Sequence, residues 1–206
     1  MIPTKKCKIC RSTGQKIGLN ERCMGHKCAL DRRRVRPGQH GKRMKVISQY
    51  ARELIEKQKI KYYYLLKEKQ LRQYIERAQK SEEPAPNALV KELERKLDNI
   101  VYLLGFSPSK TGAHQLVAHG HFLVNGKRIK SGNHLVQVGD VIKVRPGSAD
   151  IKPIKDAKER FGKYTPPVWL KMDQQTVTGT VVRMPEIEEV QIPFNLGLII
   201  DFYSRH

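Results

Sequence analysis

The chain has 206 residues, with 40 Lys+Arg against 20 Asp+Glu and a net charge of +20; its pI is near 10.0. A field of that sign and strength recruits phosphate and repels other cations, which excludes basic partners and favours a polyanion. Hydrophobic residues make up 39%, enough for one or two compact domains but not for one large core. No apolar run approaches the roughly 20 residues that span a bilayer, no basic amphipathic helix dominates, and Met1 to Cys7 lacks the apolar core of a secretory signal. Nucleic acid is therefore the expected partner, with no membrane and no small-molecule substrate.

The charge is uneven: residues 1–50 hold 14 basic and 2 acidic side chains, whereas residues 151–206 hold 8 and 7. All four cysteines fall in the basic quarter, spaced Cys7-x2-Cys10-x12-Cys23-x4-Cys28. Two short pairs separated by a loop suit four thiolates around one tetrahedral zinc ion, and two disulfides are the competing reading. A site closed by four protein ligands leaves no place for water or substrate, so the one Zn2+ expected here is structural. It would fold a segment too polar to build a core and make it rigid enough to present Lys8, Arg11, Lys16, Arg22 and Lys27. His26 is a bystander in this reading.

Asp31 is followed by Arg32, Arg33, Arg34 and Arg36, then by a Pro37-Gly38 turn and by Gln39, His40, Gly41, Lys42 and Arg43. Arginine clusters suit bidentate phosphate recognition, and the turn lets backbone approach RNA closely. Residues 48–80 read as helix, with Ser48 as N-cap. Tyr62, Tyr63, Tyr64 and Tyr74 fall at core spacing, beside basic residues that include Lys61 and Arg72. Ser81 to Asn87 reads as a linker. Leu89, Leu93, Leu97, Ile100, Val101 and Leu104 repeat at helical spacing up to Gly105, and a short helix is predicted from Lys110 to His119. Asn125-Gly126 between Phe122–Val124 and Lys127–Lys130 predicts a type I′ hairpin, and Val141 to Val144 a further strand. Residues 146–166 read as irregular and basic, with short strands near Val168–Leu170 and Thr176–Arg183. The apolar tail from Leu196 to Tyr203 is expected to pack on the chain or on a neighbour.

Several of these segments resemble the small ribosomal subunit protein four family, of bacterial or organellar type. Arg36-Pro37-Gly38-Gln39-His40-Gly41 is similar to the family's Pro-Gly-Gln-His-Gly motif, and Glu53-Leu54 through Lys57-Gln58-Lys59 to the helix after it. Leu97 to Tyr102, Gly105-Phe106, Gln115 to His121 and Val124 to Lys127 resemble its RNA-binding module, and Phe202-Tyr203-Ser204-Arg205 its ending. The four-Cys segment resembles the subgroup with a structural zinc.

The resemblance implies a primary binder of small-subunit ribosomal RNA that nucleates assembly and borders the channel through which mRNA enters. It places Arg43, Lys42 and Lys45 in that channel's basic set, and Lys110, His114, Gln115, His119 and His121 on the RNA face of the module. Gln39, His40, Arg52, Lys59, Asn125, Lys127 and Arg128 join the expected RNA contacts. Met44 and Val46 stand where relatives often carry more basic charge, and Lys110 and His114 where many carry Arg. The tail, through Asn195, Ile199, Phe202 and Tyr203, would meet small-subunit protein five, an interface linked to decoding accuracy. A cytoplasmic or organellar ribosome is the implied location, and binding of its own mRNA a second role.

The expected fold is α+β: a mainly helical N-terminal domain with the four-Cys zinc segment, a small helix-helix-hairpin RNA-binding module, and a short β and C-terminal tail. The expected boundaries are residues 1–46 for the zinc segment, 47–94 for the helical domain packed with 190–206, 95–158 for the module and 159–189 for strands completing it. No histidine has a paired carboxylate and nucleophile in sequence, so no enzyme is expected. The competing reading is a pseudouridine synthase, which carries a similar module; Lys96-Leu97-Asp98 resembles its Arg-Leu-Asp motif, although no length remains for a catalytic domain.

Overall fold

The computed structural model describes residues 6–23, 28–42, 46–162, 164–190 and 192–205, without the side chain of Arg22. The chain forms two compact units, one made of residues up to Leu89 with the stretch from 191 onward, the other of Val90–Val190.

In the first unit, short helices α1 (Lys6–Thr13) and α2 (Ala29–Arg32) flank a 3-10 turn at Glu21–Cys23. Their apolar nucleus is small: Cys10, Ile17, Leu19 and Leu65, with Ile9, Tyr62 and Tyr63 packed against it. The stretch expected as helix over 48–80 is two helices, α3 (Gln49–Tyr63) and α4 (Glu68–Gln79). Ser48 caps α3, accepting from the Ala51 N–H at 3.3 Å. The break comes where Leu65 adopts φ 54° and the Leu66 N–H reaches back to the Lys61 carbonyl at 2.8 Å. This is a left-handed C-cap without glycine. Its strain is offset because Tyr64, Leu65 and Leu66 are all buried. In α4, Leu71, Tyr74, Ile75 and Ala78 form one buried stripe. Helix α9 (Leu196–Arg205) packs on α3 and α4.

Helix α5 (Ala85–Glu94) begins inside the expected linker, and the helix expected from Leu89 to Leu104 is interrupted after it. At Lys96 the backbone extends to bridge Leu135, and the Leu97 N–H bonds the His134 carbonyl at 2.9 Å. Helix α6 (Leu97–Leu103) then starts afresh, followed by α7 (Lys110–Ala118). The periodicity of the leucines runs through the break, which is why it is invisible in sequence: the interrupting bond comes from a distant loop.

Strands β1 (Phe122–Val124), β2 (Lys127–Ile129), β3 (Val141–Val144), β4 (Leu170–Asp173) and β5 (Thr178–Val181) form one antiparallel sheet ordered β2-β1-β3-β5-β4. Asn125 and Gly126 take φ 49° and 79° in the β1–β2 turn, the positive pair a type I′ hairpin requires. Phe122 pairs with Ile129 and, on the other side, with Val144. Phe106 lies edge-on to Phe122 and Phe161, at 5.0 and 5.4 Å between ring centroids. These rings, Trp169, and the aliphatic faces of α6 and α7 make the core of this unit. Gly179 lets the sheet approach α6, since a Cβ there would lie 2.3 Å from Leu104 Cδ1. Residues 146–166 are not irregular throughout: Lys152–Phe161 is helix α8. Pro153 occupies its first turn, where proline is tolerated, and it buries only Ile154, Ala157 and Phe161. So narrow an apolar stripe among charges hides the period. The α+β class expected from the sequence holds.

Candidate nucleic-acid interface

From the last residue of α2 the chain runs exposed through Arg32, Arg33, Arg34, Arg36, Gln39, His40 and Lys42. Arg11 does not project beside them. Its Nε donates to the Val35 carbonyl at 3.0 Å and Nη2 to the Arg36 carbonyl at 3.2 Å, so it pins the loop that displays the others. Lys16 pairs with Asp31 at 2.6 Å. The loop folds tightly at Gly41, where a Cβ would lie 2.0 Å from the Arg36 carbonyl oxygen. Arg43 and Lys45, and also His26 and Lys27, lie outside the described residues.

The cations of α3 and α4 are less free than their sequence suggests. Lys59 pairs with Glu56 at 2.5 Å and Lys61 with Glu68 at 3.1 Å, both partly buried. Arg72 pairs with Glu76 at 3.1 Å but is exposed, and such a surface pair holds it only weakly. Arg52 is exposed as well. Tyr64 and Tyr74 are core residues.

On the second unit, Ser109 caps α7 by accepting from the Gly112 N–H at 3.2 Å. Gln115 on α7 and His119 at its C-cap are exposed. His114 Nδ1 lies 2.7 Å from Asp98 Oδ2, and His121 Nδ1 lies 2.9 Å from Ser148 Oγ. Burial, then the neighbouring His119 imidazole and the Arg145 and Arg128 guanidinium groups, pushes the His121 imidazole below its usual range. Arg128 donates to the carbonyls of Gly120 and His119 at 3.1 and 3.0 Å, and Lys127 is exposed. Asn125 is a turn residue first: its side chain donates to Asp140 Oδ1 at 2.7 Å and accepts from the Val141 N–H at 3.0 Å. Ser107, Gly112, Gln115, Leu116, His119, His121, Ile151 and Pro153 line a cavity of about 330 Å³ on this face.

Lys110 corrects the sequence reading. It is 5% exposed, its Nζ donates to Asn99 Oδ1, and burial drives it down to about 8. It belongs to a buried network with Glu94, Lys96, Asp98 and Asn99 rather than to the RNA face. Helix spacing puts it one turn before His114, but its side chain turns inward, with Nζ over the Tyr102 ring, 5.0 Å from the centroid. Arg145 and Ser148, which sequence reasoning did not single out, stand beside His121. An arginine at the end of a strand, before Pro146-Gly147, was the available signal.

The four cysteines are free thiols; Cys10, Cys23 and Cys28 are buried and Cys7 is exposed. Burial pushes the Cys10 thiol up, and the three other cysteines add to that rise, so the four share one electrostatic environment. The donor set fits zinc chemistry. Among the described residues, however, no three His, Cys, Asp or Glu side chains are gathered closely enough to hold an ion. No described helix is long and apolar enough to cross a membrane.

The family model of the ribosomal protein S4/S9 N-terminal domain matches residues 2–94, and that of the S4 domain matches residues 95–142. Small ribosomal subunit protein uS4 of Kosmotoga olearia is 44% identical over 200 residues, covering 97% of this chain and 96% of its own. The chain belongs to the uS4 family. Its counterparts from Fervidobacterium nodosum (45% over 201 residues) and Desulfitobacterium hafniense (41% over 201) again cover 97% of this chain and 96% of their own. Membership removes the pseudouridine synthase reading, and the geometry agrees. Asp98 is 4% exposed and held between Lys96 at 3.4 Å and His114, inside the S4 domain itself.

The uS4 tail is also committed internally. Ile199 and Phe202 are buried, and the Phe202 ring meets Tyr50 of α3 at 5.8 Å. Their spacing on α9 points them at α3, so their side chains are already packed within this chain rather than offered as the expected contact with another protein. Tyr203 donates to Glu68 at 2.7 Å and the Asn195 N–H to Glu56 at 2.9 Å. Of the four, Asn195 alone has an exposed side chain.

Proposed function

We propose that this chain is a structural, non-catalytic constituent of the small ribosomal subunit that binds small-subunit ribosomal RNA. The observation that carries this reading is identity of 41–45% to small ribosomal subunit proteins over 97% of the chain. Two exposed basic surfaces support it. One is the arginine loop at Arg32–Lys42; the other is the α7–hairpin face with Gln115, His119, Lys127 and Arg128. The first offers bidentate guanidinium groups to phosphates. The second sets polar side chains on a rigid helix and hairpin, suited to folded RNA read by shape and backbone.

Family membership also supports early binding during subunit assembly, a position beside incoming mRNA, a contact with small-subunit protein five, a role in decoding accuracy and binding to its own mRNA. With Ile199 and Phe202 buried, the exposed side of α9 around Asn195 and Asp201 is the part of the tail a protein partner would meet. The ribosome in question is of bacterial type, cytoplasmic or organellar.

The proposal includes one structural Zn2+ held by Cys7, Cys10, Cys23 and Cys28. Spacing and thiol chemistry support it, and so does the small nucleus of that segment. Bound zinc supplies folding free energy there.

Incubating the purified protein with naked small-subunit RNA tests the main reading: tight 1:1 binding without any modified base is expected. Weak binding with turnover of modified nucleotides would overturn it. Elemental analysis of protein purified from reducing lysate should find one zinc per chain, and a metal-free, disulfide-bonded protein would refute the metal assignment.

A further inference from the structure

Arginine and lysine contacts explain attraction to RNA, but not the cavity that opens beside α7. It is lined by the apolar residues Leu116, Ile151 and Pro153 and by His119, His121 and Gln115, together with Ser107 and Gly112. Its volume of about 330 Å³ lies at the small end of the range for ligand pockets, roughly 300–1,000 Å³. The two imidazoles lie 5.8 Å apart and tilted by 56°. We infer that this cavity takes one unstacked nucleobase of the bound RNA, with the flanking phosphates on Arg128 and Arg145; the inference rests on the RNA-binding reading above.

The chemistry of the walls selects this occupant. Apolar carbon on Leu116, Ile151 and Pro153 would desolvate a phosphate without pairing it. The guanidinium groups of Arg128 and Arg145, both close enough to depress His121, repel a cation. A flat heteroaromatic ring meets both conditions, with faces against apolar carbon and imidazole and a polar edge toward an amide. Gln115 is exposed and, among the described residues, its amide has no partner, so it can donate and accept at once. His121 is fixed: Nδ1 meets Ser148 Oγ at 2.9 Å, and Ser148 is fully buried, which leaves Nε2 as its other ring nitrogen for a ligand. Burial and the neighbouring groups lower its proton affinity, which favours an aromatic wall over another phosphate ligand. Arg145 is tied to the same hydroxyl at 3.3 Å, and Arg128 to the backbone before β1. Both charges therefore sit on rigid anchors beside residues 119–121, two of which line the cavity. Single-stranded and junction RNA presents such splayed bases, and aromatic or guanidinium surfaces are their usual receivers.

The test uses the full-length protein and naked small-subunit RNA transcribed with sparse 4-thiouridine or 6-thioguanosine. Near-ultraviolet irradiation followed by peptide mass spectrometry should place one dominant adduct within residues 115–121 or 151–153. The variant Gln115→Trp, which fills the opening from an exposed helical position, should lose that adduct and weaken RNA binding by about tenfold, the lower part of what one stacked base contributes. If wild-type protein binds the RNA tightly but its adducts map elsewhere, the nucleobase pocket is wrong and the RNA-binding reading stands. If wild-type protein does not bind naked RNA, that reading fails first. Adding 5 mM of each nucleoside 5′-monophosphate should leave the adduct intact; displacement by one of them would assign the cavity to free nucleotide and overturn the proposal. Because the adduct map is made on wild-type protein, it decides the matter even if Gln115→Trp fails to fold.

Discussion

The segment before α3 and the S4-domain unit solve the same problem, holding cations in place for RNA, with opposite resources. The unit from Val90 to Val190 has a continuous core: Phe106, Phe122, Phe161 and Trp169 lie in one buried cluster with aliphatic side chains of α6, α7, α8 and a five-stranded sheet. The segment carrying Arg32–Lys42 has a nucleus of four buried residues, one of them Cys10 and another, Leu65, borrowed from the end of α3. Apolar burial contributes on the order of 25 cal/mol per Å², so packing stabilises the first region far more than the second. What compensates in the second is short-range tethering: Arg11 on two carbonyls of the arginine loop, Lys16 on Asp31, and the proposed zinc. The more densely charged a segment is, the less of its order comes from its own side-chain packing.

The sharpest consequence concerns salt. If both surfaces act through phosphates, and together neutralise six to ten of them, affinity for the RNA should fall ~10³-fold or more between 50 and 200 mM salt. Filter binding across that range checks this, and a flat response would remove the electrostatic basis of both surfaces. The core should break next. Phe122→Ala deletes a ring that touches Phe106 and pairs across both β2 and β3, and should cost the second unit roughly 3–5 kcal/mol by chemical denaturation. The arginine loop should not register that loss.

The converse variant is Cys23→Ser. It should release the expected zinc, expose the segment before α3 to proteolysis and lower RNA affinity by about tenfold, or ~1.4 kcal/mol. The denaturation midpoint of the S4-domain unit should stay put. If that midpoint moves with Cys23, the two regions are not independently ordered and the contrast drawn above is wrong.

Much of this was legible in the residues, for reasons that differ by element. The hairpin at Asn125-Gly126 and the cap at Ser48 depend on nearby residues alone, so sequence reports them directly. The breaks at Leu65 and Lys96 do not. One is a left-handed turn at a residue that disfavours it, stabilised by burial; the other is set by bonds to a distant loop, from the Leu97 N–H to the His134 carbonyl and from the Val136 N–H to the Arg95 carbonyl. Helix α8 escaped because its buried stripe is only three residues wide. The same division runs through the candidate site. Exposure of the arginine loop follows from composition, whereas the burial of Lys110 follows from Asn99 and the Tyr102 ring, which no spacing rule reveals. The tail was legible as apolar, but only the packed helix shows that its apolar face is already used.

Lys110 and Lys127 separate these two kinds of lysine. Lys127→Met should weaken RNA binding a few-fold, equally across RNA sequences, and reduce the salt slope by about one. Lys110→Met should leave the salt slope unchanged while altering the stability of the S4-domain unit, since it removes a buried cation from beside Glu94 and Asp98. A reduced slope for Lys110→Met would return that residue to the RNA face.

The smallest expected effect concerns how α9 is held. Burial raises the Glu68 carboxyl, but donation from Lys57, Tyr203 and Lys61 outweighs it and holds Glu68 at about 2, against an ordinary 4.5. A folded value below the unfolded one means the contribution to stability is complete above about pH 4.5 and is lost as pH falls toward 2. Glu68 is about half exposed (48%), so solvent screens much of this and the gain is modest. Amide exchange along α9 should therefore quicken as pH drops through that window, beyond the intrinsic pH dependence of exchange. Glu68→Gln should flatten the excess without freeing the helix, because Ile199 and Phe202 keep it seated on apolar contacts. Exchange in Glu68→Gln that still quickens in the same window would move the sensitivity to another carboxylate under α9, with Glu53, paired to Arg205 at 3.1 Å, the next to substitute.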